Sequence, residues 1–421
     1  MSGALLVCAL AFLFAFTIAA HRLTARWLTA PILFVAFGAL LGDNGLGWVA
    51  LGPLQPYLDP LAELTLIIIL FGDASRIDLR QLREEAGLPV RLLLVGLPLT
   101  ILLGAAAATT LFPSLSLWEA AALGAVLAPT DAALGQAVVS SPEVPMRVRQ
   151  ALNVESGLND GIALPVVLVF VALAVASAEG MGGTDAAQWL GFWALQVTGG
   201  PLFGAAIGLG GGWLLERALV AGWTDDVYAR IGGLALALLA AFGAEELGGN
   251  GFMAAFVAGL ALGHTSPRVC ESTHAFLETE GQLLMLLVFV ALGALLVPPA
   301  LSALSVPVVV YVLLSLTLIR MVPTALALWG SGAQRQSVAF IGWFGPRGLA
   351  TILFGMILVE EQALPDRVFL FDVAVLTVFA SVFAHGLTAG WGARRYGRWM
   401  REQDEAMEHD EVHAHPLRVR R

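Results

Sequence analysis

Residues 117–139 read LWEAAALGAVLAPTDAALGQAVV. Two apolar runs meet at Pro129-Thr130-Asp131, and each is only about 8 to 12 residues long, where a helix needs about 20 to cross the hydrocarbon of a bilayer. Joined, they cross it, with a proline and a carboxylate at mid-depth. Proline removes a backbone donor and leaves the carbonyl one turn earlier without its partner. In lipid, such loosened backbone is tolerated where it lines a cavity, and the ends of the two half-helices then offer their dipoles to an ion. The stretch therefore predicts a broken crossing helix around an ion site.

The same pattern returns in segment 336–359, where SVAFIGWFG and LATILFGMILV meet at Pro346-Arg347-Gly348. Arg347 keeps its proton and needs anions or acceptors at that depth. A third polar interruption lies in segment 146–176, at Glu155-Ser156-Gly157-Leu158-Asn159-Asp160-Gly161. After Gly161 about 15 apolar residues remain, too few to span alone, so the crossing reaches back through the polar run. Positions four apart share a helix face. Ser156 and Asp160 thus form one stripe, and Glu155 and Asn159 form its neighbour. An aspartate at this depth is costly and is by default a functional candidate. Among Asp131, Glu155 and Asp160, a structural Arg347–Glu155 bridge would leave the other two acids for an ion.

Outward from these three segments the whole chain is apolar. Of its 421 residues 58% are hydrophobic and 13% charged, against roughly 25% charged in a soluble domain. The mean hydropathy of +0.81 leaves no room for a separate soluble catalytic unit. Every basic residue is arginine, which excludes a lysine Schiff base and a lysine phosphate loop. The two cysteines, Cys8 and Cys270, exclude a zinc cluster and a disulfide scaffold. We read about thirteen transmembrane helices, at 4–20, 27–42, 61–72, 89–112, 117–139, 146–176, 190–215, 228–246, 251–264, 280–297, 303–329, 336–359 and 367–393. The first counts as a retained span, because residues 1–3 lack a basic n-region while His21, Arg22 and Arg26 follow it. With this count the odd-numbered loops and the tail hold nineteen arginines and the even-numbered loops hold Arg367 alone. The positive-inside rule then places the N-terminus outside the cell membrane and the C-terminus in the cytoplasm. Residues 1–393 form the transmembrane unit. Residues 394–421 form a short cytoplasmic tail whose His409, His413 and His415 read as solvated.

The two breaks fall in the fifth and twelfth helices. Corresponding breaks in two halves mark an inverted-repeat transporter with its site at the repeat interface. The repeats would be helices 1–6 and 8–13, with helix 7 linking them. An offset of seven reverses the second half, as inversion requires. The fold expected is all-α and polytopic.

At these residues the chain resembles the monovalent cation:proton antiporters, the sodium/proton exchangers of NhaP/NHE type. The features that carry the resemblance are Ala128-Pro129-Thr130-Asp131, Glu155-Ser156-x-x-Asn159-Asp160-Gly161 and Gly345-Pro346-Arg347-Gly348-Leu349-Ala350. Phe71-Gly72-Asp73 through Asp78-Leu79 and Gly386-Leu387-Thr388 match more weakly. The chain departs from the family pattern modestly, in Gly345-Pro346-Arg347, where other members often have a leucine before the arginine, and at Asp73-Ala74, where the family often has an acid followed by glycine. The resemblance implies that Asp131 and Asp160 bind the transported ion and the proton, that Ser156 and the Thr130 backbone complete the shell, and that Glu155 pairs with Arg347 while Asn159 supports the site. It also implies a homodimer in which core helices (about 89–176 and 303–393) move against scaffold helices (about 4–72 and 190–297).

The chemistry follows from those ligands. Sodium and lithium are hard cations that prefer oxygen, and the same carboxylates take protons, so the two compete for one site. A loaded carrier crosses, whereas an empty, doubly charged one pays for unpaired charge in lipid. No cofactor, nucleotide or nucleic acid is needed, because the ion gradient is the energy source. Electrogenic relatives have two adjacent aspartates where this chain has Asn159-Asp160, so the resemblance implies electroneutral exchange. The rival readings within transporters are a potassium/proton antiporter and a sodium-coupled solute symporter. An intramembrane aspartyl protease would carry a Gly-x-Gly-Asp run, whereas Leu158-Asn159 precedes Asp160. His385 reads as an interfacial histidine and Arg320 as a locally paired or snorkelling arginine; neither is assigned to the site.

Overall fold

The computed structural model describes residues 3–24, 28–42, 45–47, 51–77, 87–131, 134–179, 184–403 and 408. Among the described residues every regular element is helical. In chain order they are α1 (Gly3–Thr24), α2 (Ala30–Leu41), α3 (Leu51–Arg76) and α4 (Gly87–Leu111), which holds a π turn at Leu92–Gly96. Then come α5 (Leu117–Val126), the single turn α6 (Gln136–Val139), α7 (Met146–Ala178), α8 (Thr184–Val220), α9 (Asp226–Glu246) and α10 (Gly251–Thr265). α11 (Pro267–Ala291) runs on through a π turn at Leu292–Leu296. α12 (Val306–Ala327), α13 (Arg335–Trp343), α14 (Leu349–Glu360) and α15 (Arg367–Met400) complete the chain.

Among the described residues the apolar stretches expected from the sequence lie on helices. Among the described residues six helical stretches are long and apolar enough to cross a membrane by themselves: α4, α7, α9, Glu280–Ala303 (the end of α11 and the turns that follow it), α12 and α15. Several helices outrun the apolar stretch that announced them. α8 extends to both sides of 190–215, and α15 continues to Met400 through Arg394, Arg395 and Arg398. Hydropathy marks the part of a helix in lipid, whereas backbone bonding continues into water wherever helix-favouring residues allow it.

Local chemistry fixes where the site-bearing helices begin. Ser116 and Glu119 form a capping box at the start of α5: Ser116 N–H donates to Glu119 Oε2 at 2.9 Å, and Glu119 N–H donates to Ser116 Oγ at 3.2 Å. Glu119 is buried, and its other oxygen accepts the Asp366 N–H at 3.1 Å, which ties α5 to the start of α15. Asn250 caps α10 and Asp225 caps α9 through their side chains.

α4, α5, α7 and α12–α15 pack around the two breaks, while α3 and α8–α11 pack mainly on one another. Small residues permit the second set of contacts. Gly204 and Gly208 of α8 lie directly against the backbone of Ala254 and Ala258 of α10. Close approach over glycine and alanine is the usual way helices associate in lipid, where apolar surface gives no driving force of its own. α3, α8 and α10 also touch α7, and α3 touches α14; at the polar run of α7, Gly161 lies against the Phe256 ring of α10.

Candidate functional site

The first break is wider than the sequence suggested. α5 ends at Val126, residues 127–131 are non-helical, and among the described residues the one-turn α6 is the helix that follows before Ser140. The second lies between Trp343 and Leu349. The breaks touch. Asp131 N–H donates to the Pro346 carbonyl at 2.9 Å. In return, Leu349 N–H at the start of α14 donates to Asp131 Oδ2 at 2.8 Å, and Leu134 N–H donates to Oδ1 at 3.3 Å. The Asp131 carboxylate therefore sits at the positive end of a half-helix, where a negative charge is favoured.

Gly348 makes this approach possible. A Cβ at position 348 would stand 1.9 Å from Asp131 Oδ2 and 2.6 Å from its Cβ. Gly348→Ala should push the carboxylate off the α14 terminus and raise the half-saturating cation concentration about tenfold, as expected for losing one charge-assisted bond. Titrating cation-driven proton flux in proteoliposomes measures this; an unchanged affinity would show that the seat of Asp131 does not matter.

α7 supplies the opposite wall. Asn159 Nδ2 donates to Thr130 Oγ1 at 2.7 Å, and Thr130 Oγ1 lies 3.0 Å from Ser156 Oγ. The threonine oxygen accepts from Asn159 and shares a second hydrogen bond with Ser156, in which either hydroxyl can be the donor. Thr130, Ser156 and Asn159 are buried together. Asp160 follows on the same helix. Its Oδ1 is buried without a hydrogen-bond donor among the described residues, and the charged groups acting on it are Asp131 and Asp73. Asp73 of α3 is thus a third acid within electrostatic reach of Asp160. The sequence reading noted it within a weak motif and gave it no role, since an acid near a helix end is ordinary.

The pairing of the buried arginines differs from the expectation. Glu155 is bound by Arg320 of α12, not by Arg347. Arg320 Nη1 and Nη2 donate to Glu155 Oε1 and Oε2 at 2.5 and 2.7 Å, and both residues are 2% exposed. A planar guanidinium fork matches a carboxylate in this way. The absence of a side chain at Gly345 lets it in: a Cβ there would lie 2.4 Å from Arg320 Nε. Arg320 is too deep to snorkel. Arg347, fully buried, instead turns Nη1 to the Pro129 carbonyl at 3.4 Å and the Gly345 carbonyl at 3.3 Å. Those carbonyls belong to the two unwound segments, and unwound backbone in lipid needs donors from elsewhere. Arg347 thus supports the breaks and Arg320 neutralises Glu155. Asp131 and Asp73 act on Asp160, which makes this a cluster of carboxylate oxygens, the ligand type that hard cations prefer.

Residues 8–394 match the family described as "Sodium/hydrogen exchanger, transmembrane". The chain is 26% identical over 369 residues to the K(+)/H(+) antiporter NhaP2 of Shewanella sp. strain MR-4, covering 86% of this chain and 62% of that protein. It is 25% identical over 397 residues to the K(+)/H(+) antiporter NhaP of Alkalimonas amylolytica, covering 92% and 66%. The chain thus spans about three-fifths of the length of the curated relatives it matches. Among solved structures, the sodium proton antiporter MjNhaP1 of Methanocaldococcus jannaschii superposes with a TM-score of 0.74 at 20% identity, over 93% of this chain and 100% of that one.

Proposed function

The chain belongs to the sodium/hydrogen exchanger family and is a membrane protein, and from that premise we propose that it is a secondary antiporter exchanging sodium or lithium for protons. The observation that carries the reading is the seat of Asp131. Its carboxylate joins the two breaks and acts electrostatically on Asp160 of α7, while Arg320 is bound to Glu155 and Arg347 to the unwound carbonyls. Two carboxylates with Ser156 and Thr130 beside them hold a cation or protons but not both, and that competition is the exchange. α4–α7 and α12–α15 move as a core against α1–α3 and α8–α11, with the N-terminus outside, the C-terminus in the cytoplasm, and two chains forming a dimer.

A second reading, potassium/proton exchange, is favoured by the names of the relatives from Shewanella and Alkalimonas. Everted vesicles from a host without its own antiporters, acidified and followed with a pH-sensitive dye, decide between them. Dequenching by sodium and lithium supports the first reading, and dequenching by potassium alone supports the second. No response to any cation overturns both, and sodium-driven uptake of an organic solute would indicate a symporter.

Asn159 bears on stoichiometry. It spends its amide on Thr130 and brings no charge to the site. We expect one-for-one, electroneutral exchange. In proteoliposomes a valinomycin-imposed potential should leave the rate unchanged, although about 100 mV would bias a step that carries one net charge by roughly 2.3 kcal/mol. A clear voltage dependence would rule this out.

A further inference from the structure

α15 carries a buried pair that stands outside the ion shell. Ser381 and His385 lie one turn apart, 0% and 2% exposed. The backbone N–H of Arg347 donates to Ser381 Oγ at 2.7 Å. The same oxygen is 3.0 Å from His385 Nδ1, which is also 3.0 Å from the Ser381 carbonyl. With the Arg347 N–H accepted, the serine still has one proton to place, and Nδ1 is the acceptor in reach. The serine proton has that acceptor when the imidazole is neutral with its proton on Nε2; with the proton on Nδ1 the ring donates to the Ser381 carbonyl or Oγ instead. An imidazolium would present a donor at Nδ1, turn toward the Ser381 carbonyl, and leave the serine proton without its acceptor.

The pair acts on the second break at its centre. The preceding residue, Pro346, gives its carbonyl to Asp131 N–H, and Leu349, two residues on, gives its N–H to Asp131 Oδ2. The peptide that Ser381 grips is thus flanked by two of the bonds that seat Asp131. The charged groups facing His385 are the guanidiniums of Arg347, from the break, and Arg320, from α12. From α13 the Trp343 ring lies 5.1 Å from the imidazole, and α2 approaches the next residue, Gly386, through Thr29 and Ile32. A proton on His385 would add a third positive charge to this group.

We propose that Ser381 and neutral His385 are positioning residues for Asp131, bracing the Arg347 peptide so that both breaks hold the carboxylate, and that proton uptake by His385 loosens the brace. This rests on the exchange reading above.

The test measures sodium-, lithium- and potassium-driven proton flux across pH, using the full chain in proteoliposomes. Ser381→Ala and His385→Leu should raise the half-saturating cation concentration about two- to tenfold, the worth of one hydrogen bond. Ser381→Thr should recover most of that loss. His385→Asn keeps an acceptor near the Nδ1 position but takes no proton, so its acid limb should extend about half a pH unit or more below that of the unaltered protein. Unaltered affinity in Ser381→Ala, no recovery in Ser381→Thr, or an acid limb in His385→Asn that superposes on the parent would each overturn the brace. If Ser381→Ala or His385→Leu does not fold, the His385→Asn profile decides alone. A parent protein that moves no protons with any cation fails the exchange reading and the brace with it; an active parent with unaffected variants fails the brace alone.

Discussion

Asp160→Asn should abolish cation-driven proton movement, to the level of protein-free liposomes, while leaving the protein as heat-stable as the parent or more so. The two halves of this result have one cause. Asp160 is a carboxylate at membrane depth whose charged neighbours are Asp131 and Asp73, with one oxygen buried away from any hydrogen-bond donor among the described residues. Asparagine keeps its shape and cannot bind a proton or offer a full negative charge to a cation, so both competing ligands are lost together. Removing an unpaired charge from low dielectric, and with it a like-charge repulsion, costs the fold nothing. The variant should elute as a single species in detergent, with an unfolding temperature no lower than the parent and a rate reduced at least about a hundredfold, of order 3 kcal/mol. A transporting Asp160→Asn would remove Asp160 from the site. An inactive variant that also unfolds early would mean that the carboxylate is structural.

The parts of the site that were legible in the sequence are those where one residue contradicts its surroundings. A proline beside Asp131 or Arg347, in the middle of an apolar run too short to cross alone, has few structural meanings, and the helix breaks lie at both places. The polar run from Glu155 to Asp160 obeys helical spacing, so its adjacency within α7 could be read directly. What could not be read is which group meets which across helices. Arg320 and Arg347 are both arginines in apolar stretches, and nothing local says that one forms the Glu155 ion pair while the other bonds to the Pro129 and Gly345 carbonyls. Their choice depends on the path of α12 past the bare Cα of Gly345. Asp73 was hidden for a similar reason, since only the packing of α3 near α7 turns a helix-end acid into a neighbour of Asp160. His385 looked interfacial by its position along the last span. It is buried because α15 outruns its apolar stretch by several residues, so the histidine falls well inside the helix.

The ion pair of Glu155 and Arg320 should be the most stability-critical polar contact near the site. Arg320→Ala should destabilise the protein by about 3–5 kcal/mol, because it leaves Glu155 charged, buried and unpaired. Glu155→Ala should do likewise by stranding the guanidinium. Arg347 cannot take over, since its bonds run to the Pro129 and Gly345 carbonyls and its backbone to Ser381. The double variant Glu155→Leu with Arg320→Met removes both charges at similar volume and should regain most of the loss. A double-mutant cycle on unfolding in detergent then separates the two arginines. Coupling of residue 155 to 320 should exceed about 2 kcal/mol, whereas coupling of 155 to 347 should stay below about 1 kcal/mol. Should the larger coupling fall on 347, the pairing first expected from the sequence would be right, and Arg320 rather than Arg347 would be the arginine free to support the unwound backbone. Transport by the charge-free double variant carries the remaining information. If Glu155 serves only to balance Arg320, removing both should spare exchange at Asp131 and Asp160, and a silent but well-folded double variant would mean that the pair also shapes the electrostatics of the ion site.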